Sequence, residues 1–226
     1  MDLHLDGRVV LVVGGTGYIG SAVVRRLRAE GAVAVAAARG ADSDIVMDGR
    51  DTASVAAAVA RVREEHGRLD GLVVAAAPAA HTLDPARNDD PAQVLEAFDA
   101  KALTFLRVAK AVIPGMREAG YGRIVGISGQ NAFFTGNVTG SVRNAALILM
   151  AENLADALAG TGVTVNAVNP GPVVDAPSSE VAVARGGESS PDQIADLVAF
   201  LVSPLAGAVS GESIAVGHRV RGVTNL

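Results

Sequence analysis

The chain of 226 residues has no cysteine, no tryptophan, two tyrosines and five phenylalanines. Without cysteine it forms neither disulfides nor thiolate metal sites, and nothing favours export to an oxidising compartment. Half of the residues are hydrophobic, and with aromatics at 3% the core must be filled by alanine, valine, leucine and isoleucine. Such a core suits parallel strands that are buried on both faces.

Basic residues are also in the minority, with 19 Lys and Arg against 24 Asp and Glu, a net charge of −5. Nucleic acid is usually bound by a basic face, so we predict no nucleic-acid partner. Residues 1–6 lack the basic start and apolar run of a signal peptide, and no apolar run approaches the ~18 residues that span a bilayer. We therefore expect a cytoplasmic protein with no membrane partner. The four histidines are scattered, which argues against a metal site.

Short runs rich in valine and alanine alternate with longer amphipathic stretches, which is the pattern of βαβ units around a parallel sheet. The predicted strands are 8–13, 33–37, 71–75, 123–127, 164–168 and 213–216. The predicted helices are 18–30, 52–66, 91–119, 141–159 and 191–201. No break in composition indicates a second domain, so residues 1–226 are predicted to form one α/β domain. Residues 172–190, rich in Pro, Ser and Gly, are predicted to be a flexible segment.

The first predicted strand leads into Gly14-Gly15-Thr16-Gly17-Tyr18-Ile19-Gly20, after which a predicted helix begins. A pyrophosphate needs small residues for a tight turn and a close backbone approach, and its charge is stabilised at the positive helix end. Gly14, Gly17 and Gly20 have that spacing, and we predict that this loop binds a dinucleotide. A purely structural turn is the alternative.

The chain resembles the short-chain dehydrogenase/reductase family over nearly its whole length. The glycine motif is similar to that of the family's extended, epimerase-like branch, whereas the overall size and residues 122–128 and 163–171 resemble its shorter branch. Residues 207–217 resemble the family's last strand region. The resemblance implies a Rossmann-type doubly wound parallel sheet between two helix layers. It also implies an oxidoreductase that acts on a small carbonyl or hydroxyl substrate.

The adenosine end of the implied cofactor site contains an arginine where NAD-binding proteins have an acidic residue. Arg39 follows the second strand, with no Asp or Glu on that strand before it, and arginine suits the 2′-phosphate of NADP. We therefore predict NADP(H) as cofactor, with a merely solvated Arg39 as the alternative. By resemblance, Asp48 meets the adenine amino group, and Ala75 and Ala76 lie against the adenosine.

At the reacting end the sequence departs from the family. Carbonyl reduction there uses a Tyr hydroxyl as proton donor and a Lys four residues later, which lowers the Tyr pKa and binds the nicotinamide ribose. Aligning residues 145–147 with the family's helix puts the Tyr at Gly140 and the Lys at Asn144. The family's Ser falls at Gly129, its Asn at Lys101, and the later Thr at or beside Asp175. All four catalytic positions are therefore changed.

Neither tyrosine is predicted to take over, because Tyr18 belongs to the phosphate loop and Tyr121 precedes the strand that ends near Ser128. The candidate catalytic residues are instead the polar ones expected at the strand ends, namely Ser128, Lys101, Arg143 and Asn144. Further polar residues expected there are Gln130, Asn131, Asn137 and Ser141. The alternative is that these residues are caps and loop polars, with Ser141 capping its helix. His81, at the expected rim, is a possible base or merely solvated.

Three functions follow from this combination. The first is an NADP(H)-dependent oxidoreductase without the usual relay, the second a dehydratase, cyclase or isomerase on the same scaffold, and the third a catalytically silent nucleotide-binding subunit. The fold cannot choose among them. The apolar faces of the helices predicted at 91–119 and 141–159 exceed what one sheet covers, and in the family these helices pair across a two-fold axis. We therefore expect a homodimer or homotetramer.

Overall fold

Seven parallel strands form one sheet in a computed structural model of the chain, which describes residues 1–77 and 82–223. The strands are β1 (Val9–Val13), β2 (Val33–Ala38), β3 (Ile45–Val46), β4 (Gly71–Val74), β5 (Gly122–Ile127), β6 (Val163–Pro170) and β7 (Ser213–Val216). Their order across the sheet is β3-β2-β1-β4-β5-β6-β7. Strands β2 and β3 are added on one side of β1 and the last four strands on its other side, so the strand order reverses between β1 and β4. In such sheets ligands bind in the crevice outside the carboxyl ends of the strands at this point.

Helices cover both faces of the sheet, which confirms the predicted three-layer, Rossmann-type α/β fold. They are α1 (Tyr18–Ala29), α2 (Thr52–His66), α3 (Pro91–Phe98), α4 (Thr104–Glu118), α5 (Val138–Ala157) and α6 (Pro191–Val202). Apolar residues of α1 and α6 pack on one face, and those of α2, α4 and α5 pack on the other. Every residue of β1, β4, β5 and β6 is buried, as strands covered on both faces require.

Residues 91–118 form the helix predicted at 91–119, but a π-helical turn, Asp99–Leu103, interrupts its regular α-helical repeat between α3 and α4. Asp99, the first residue of this π turn, accepts hydrogen bonds from two arginines, from Arg50 Nε at 2.9 Å and from the Arg107 guanidinium at 2.5 Å. The wider turn adds a residue to the helical repeat, and Lys101 lies on it with only 6% of its surface exposed. Turns of this kind occur often at functional sites.

Helix α5 begins three residues before the predicted position. Asn137 is its N-cap, because its side-chain oxygen accepts a hydrogen bond of 2.7 Å from the Gly140 backbone N–H. Ser141 lies inside the first turn, and its hydroxyl donates to the Phe134 carbonyl at 2.7 Å. The prediction that Ser141 caps this helix is therefore wrong.

The segment 172–190 contains no helix or strand apart from one bridge between Val173 and Ser189. Its backbone is nevertheless held by residues near the C-terminus. Gly187 N–H donates to the His218 carbonyl at 2.8 Å, and Arg221 N–H donates to the Arg185 carbonyl at 3.0 Å. Helix α6 then begins at a capping box, in which Ser190 and Gln193 bond reciprocally. None of the described helices has the length and apolar character needed to cross a membrane.

Candidate active site

A cleft of about 770 Å³ opens at the carboxyl ends of the central strands. Its walls come from the start of α1, from the residues that follow β4 and β5, and from the first turns of α5. The remaining wall comes from the end of β6 and from the segment 172–190. The cleft therefore lies where the strand order reverses, which is where this fold places its ligands.

The phosphate loop, residues 14–20, forms one end of the cleft and admits only glycine at two positions. Gly14 has φ +79°, and a Cβ on it would lie 2.7 Å from the Ala76 nitrogen. A Cβ on Gly20 would lie 2.0 Å from the Gly14 carbonyl oxygen. No side chain caps α1 at Gly17, and no acidic residue lies in its first turn. The N–H groups at this helix end are thus suited to an anionic ligand, so the loop fits a pyrophosphate.

The predicted adenosine contacts lie near this loop, along the same edge of the sheet. Arg39 is exposed directly after β2, and Asp48 is exposed two residues after β3. One Asp48 oxygen accepts a 2.9 Å hydrogen bond from the Arg50 backbone N–H. Ala75 and Ala76 follow β4, with the Ala75 N–H bonded to the Val13 carbonyl at 2.8 Å. This placement is compatible with the predicted roles, which remain predictions.

A buried chain of hydrogen bonds forms the other end of the cleft. Lys101 Nζ donates to the Ser128 carbonyl at 2.9 Å, and Ser128 Oγ donates to the Asn144 carbonyl at 2.9 Å. Asn144 Nδ2 donates in turn to the Gly140 carbonyl at 2.8 Å. Arg143, also buried, lines the cleft beside them. The π turn, β5 and α5 thus bring the four candidate catalytic residues together.

Two positive charges are concentrated at this end. Burial, and after it the positive charge of Arg143, lower the pKa of Lys101 from 10.5 to about 7. Burial also lowers the pKa of the Arg143 guanidinium. An amine with a pKa near neutrality exchanges its proton readily at physiological pH, which is the property of a general acid or base. Within the described residues, no group of three or more His, Asp or Glu side chains comes together as a metal site would require.

Comparison with known proteins identifies the family. A family model described as enoyl-(acyl carrier protein) reductase matches residues 18–218. The chain belongs to the short-chain dehydrogenase/reductase family. It is 32% identical over 240 residues to (2S)-[(R)-hydroxy(phenyl)methyl]succinyl-CoA dehydrogenase subunit BbsC of Thauera aromatica, covering 96% of this chain and 95% of that protein.

Two further comparisons concern a second dehydrogenase and a solved structure with the same fold. The chain is 32% identical over 249 residues to D-threitol dehydrogenase of Mycolicibacterium smegmatis, covering 95% of this chain and 93% of that protein. A solved structure named as ribose-5-phosphate isomerase from Brucella melitensis superimposes with a TM-score of 0.82 at 26% identity, covering 93% of this chain and 91% of that one. The protein is therefore a member of a family of oxidoreductases that use nicotinamide cofactors and act on small substrates.

Neither tyrosine of this short-chain dehydrogenase/reductase lies with the buried chain. Tyr121 lies at the amino end of β5, and Arg8 and Arg123 stack on its ring with their guanidinium carbons 4.4 and 4.3 Å from the centroid. Tyr18 lines the cleft, but its hydroxyl donates to Asp175 at 2.5 Å, and that bond raises the pKa of Tyr18. A relay needs a lowered tyrosine pKa, so this environment opposes such a role.

Some cleft residues were predicted from the sequence and others were not. Gln130, Asn131 and Asn137 line the cleft as predicted, whereas Ser141 does not. His81 lies outside the described residues. Sequence reasoning missed the loop residues that complete the walls, which are Phe134, Thr135, Val173, Ala184 and Arg185. No sequence signal marks them, because they belong to irregular segments whose path is set by the hydrogen bonds to residues 218–221 and by the turn after β5.

Proposed function

We propose that this short-chain dehydrogenase/reductase binds NADP(H) and acts on a small carbonyl or hydroxyl substrate without the family's tyrosine–lysine relay. The observation that carries the proposal is one cleft with a phosphate loop at one end and the buried Lys101–Ser128–Asn144 chain at the other. A dinucleotide needs the first end for its pyrophosphate, and a carbonyl reduction needs the second for its proton.

The residues that would hold the cofactor are those predicted from the sequence. The loop Gly14, Thr16, Gly17, Tyr18, Ile19, Gly20 would bind the pyrophosphate, and Arg39 would bind the 2′-phosphate. Asp48, Ala75 and Ala76 would contact the adenosine. When bound, the reduced nicotinamide supplies the hydride for carbonyl reduction.

Lys101 would supply the proton. By resemblance the family has Asn at position 101 and Lys at position 144, whereas this chain has Lys101 and Asn144, so the two residue types are exchanged. After this exchange the cluster still contains one ammonium group, but that group belongs to the π turn rather than to α5. Its pKa of about 7 suits a proton donor at neutral pH. The Ser128 carbonyl holds the Nζ in place.

The test is NADPH oxidation by the purified protein with a panel of small aldehydes and ketones between pH 5.5 and 9. We expect turnover that falls as the pH rises through about 7, because Lys101 must be protonated to donate. Lys101→Met should remove most of this activity, since a general acid typically contributes about 10²–10⁴ in rate. Lys110→Met, which removes an exposed lysine of α4, is the matched control. Full activity in Lys101→Met, with an unchanged pH profile, would contradict the proposed role.

Cofactor choice is tested by calorimetric titration of NADPH and NADH. We expect NADPH to bind about ten- to hundredfold more tightly, because a charge-assisted contact to phosphate contributes ~1.5–3 kcal/mol. Arg39→Asp should abolish or reverse that preference, whereas Arg117→Asp, an equal charge change on exposed α4, should not. Equal or tighter binding of NADH by the unmodified protein would contradict the choice of NADP(H).

A catalytically silent subunit is the second candidate, favoured by the loss of all four family residues. The relative from Thauera aromatica is itself named as one subunit of a dehydrogenase. A silent subunit would bind NADPH and 2′,5′-ADP with closely similar affinity, because no charged group would grip the nicotinamide half. It would also oxidise no NADPH alone. Measuring both affinities beside the activity panel therefore separates the two candidates.

A further inference from the structure

The charged residues that line the cleft are basic, whereas the chain as a whole carries a net negative charge. Acidic residues outnumber basic ones, 24 to 19. Yet the described residues that line the cleft include three basic side chains, Lys101, Arg143 and Arg185, and no Asp or Glu. Lys101 and Arg143 are 6% and 5% exposed, so they are buried within the walls rather than solvated at the rim.

A buried ammonium group is costly to charge unless an opposite charge compensates it. Arg143 is close enough to Lys101 to disfavour its charged form. Within the described residues, Lys101 Nζ has one hydrogen-bond acceptor, the Ser128 carbonyl, although an ammonium group has three donors. Ser128 and Asn144, which lie beside Lys101 in the buried chain, are uncharged, so neither of them compensates the charge of Lys101.

We propose that Lys101 and Arg143 form a binding site for the small anionic group of a substrate, a carboxylate or a phosphate ester, with Arg185 at the mouth. The planar guanidinium of Arg143 matches the two oxygens of such a group, and Lys101 adds a point charge. The proposal does not rest on the oxidoreductase activity, because an anion site orients a ligand whether hydride is transferred or not. It restricts the substrate to molecules that carry a negative charge.

The chain offers an internal reference for the test, since it contains two lysines, buried Lys101 and exposed Lys110. Selective ¹³Cε labelling of lysine gives two signals, assigned with Lys110→Arg, and each is titrated with pH. Acetate represents a carboxylate, and sulfate represents a phosphate ester without titrating near neutrality. Acetamide is the neutral analogue, and NaCl keeps the ionic strength constant.

A bound anion stabilises the charged lysine, so its titration midpoint must rise. We expect acetate or sulfate at saturation to raise the Lys101 midpoint by at least one unit, with no change for Lys110 and none with acetamide. The anion with the larger effect identifies the substrate group. An unchanged Lys101 midpoint with both anions would overturn the proposal.

Arg143→Gln should weaken the affinity for the preferred anion at least tenfold, and Arg143→Lys should restore part of it. Arg117→Gln, which removes one exposed charge of α4, should change it less than twofold, and an equal loss there would overturn the proposal. If Arg143→Gln does not fold, the titration of the unmodified protein decides alone.

A last arm repeats the titration with saturating 2′,5′-ADP, which occupies the phosphate loop. The Lys101 response must persist, and its disappearance would place the anion at the loop instead and overturn the proposal. Failure of 2′,5′-ADP to bind would contradict the proposed cofactor but leave the reading of the Lys101 titration unchanged.

Discussion

Lys101 is a buried lysine, and the stability of the protein should show the cost of burying its charge. The folded protein holds this amine at a pKa of about 7, well below the 10.5 of an exposed lysine. Because the pKa is lower in the folded state, the unfolded state binds more protons between these values, and stability rises with pH across that window. Below about pH 7 Lys101 is charged in both states, and the folded state then bears the full cost of burying that charge.

Lys101→Met removes this charge at every pH while keeping a long apolar stem. We expect the variant to be more stable than the unmodified protein at pH 6, by roughly 2–4 kcal/mol, after allowance for the lost hydrogen bond. The gain should be clearly smaller at pH 9. Urea unfolding at both pH values measures it, with Lys110→Met as the control. A gain independent of pH would mean that the pKa of Lys101 is not lowered in the folded protein.

The exchanged pair, Lys101 and Asn144, gives a second prediction. Asn144→Lys alone places a further positive charge beside Lys101 and Arg143, so it should lower both stability and NADPH affinity. The charge-neutral double change, Lys101→Asn with Asn144→Lys, should recover much of the loss. We expect a coupling energy of about 1–3 kcal/mol in the double-mutant cycle. Additive effects in calorimetry and urea unfolding would show that the two positions do not share a function.

At the scale of elements, α5 depends on a cap that sequence reasoning placed wrongly. The Asn137 side chain satisfies the Gly140 N–H, and a Cβ added at Gly140 would lie 2.9 Å from that side chain. Restoring the family's tyrosine by Gly140→Tyr would therefore disturb the cap.

The cap itself can be tested with Asn137→Ala. We expect it to lower the free energy of unfolding by about 1 kcal/mol, as the loss of an N-cap side chain typically does. Asn153→Ala, at an exposed position near the C-terminal end of the same helix, should change stability by less than half of that. Urea unfolding of both variants decides the matter, and equal losses would show that Asn137 contributes no capping.

The π turn and the early start of α5 escaped prediction for physical reasons. The apolar period of 91–119 continues across the π turn, because one extra residue shifts a helical face too little to interrupt the pattern. Residues 137–140 contain a β-branched pair and a glycine, which favour a loop by propensity, yet packing and the Asn137 cap extend α5 through them.

At the scale of the whole molecule, apolar side chains remain exposed on neighbouring helices. Leu95 of α3 and Leu149 of α5 are 66% and 57% exposed, and Val138 and Val142, also on α5, are exposed as well. Exposed apolar side chains that together form a patch mark an interface in soluble proteins. By resemblance, the helices that carry these residues pair across a two-fold axis, so we expect a homodimer or homotetramer.

Leu95→Asp combined with Leu149→Asp should reduce the assembly to a monomer, as measured by light scattering at micromolar concentration. A charge at the centre of an interface is left without solvent or partner, and association weakens accordingly. Val46→Asp, an equally drastic change at an exposed position of the edge strand β3, is the control. A monomeric mass for the unmodified protein would contradict the expected assembly.

The sequence by itself determined the fold, the family and the position of the glycine-rich loop 14–20. Each depends on local patterns, namely buried valine-rich strands, amphipathic helices and glycines at fixed spacing. The short strand β3 escaped prediction because two residues carry no period. The tertiary structure alone decided that Lys101, Ser128, Arg143 and Asn144 meet in one buried cluster. Their distances, and the lowered pKa of Lys101, depend on how a π turn, a strand end and a helix pack together, which no local pattern encodes.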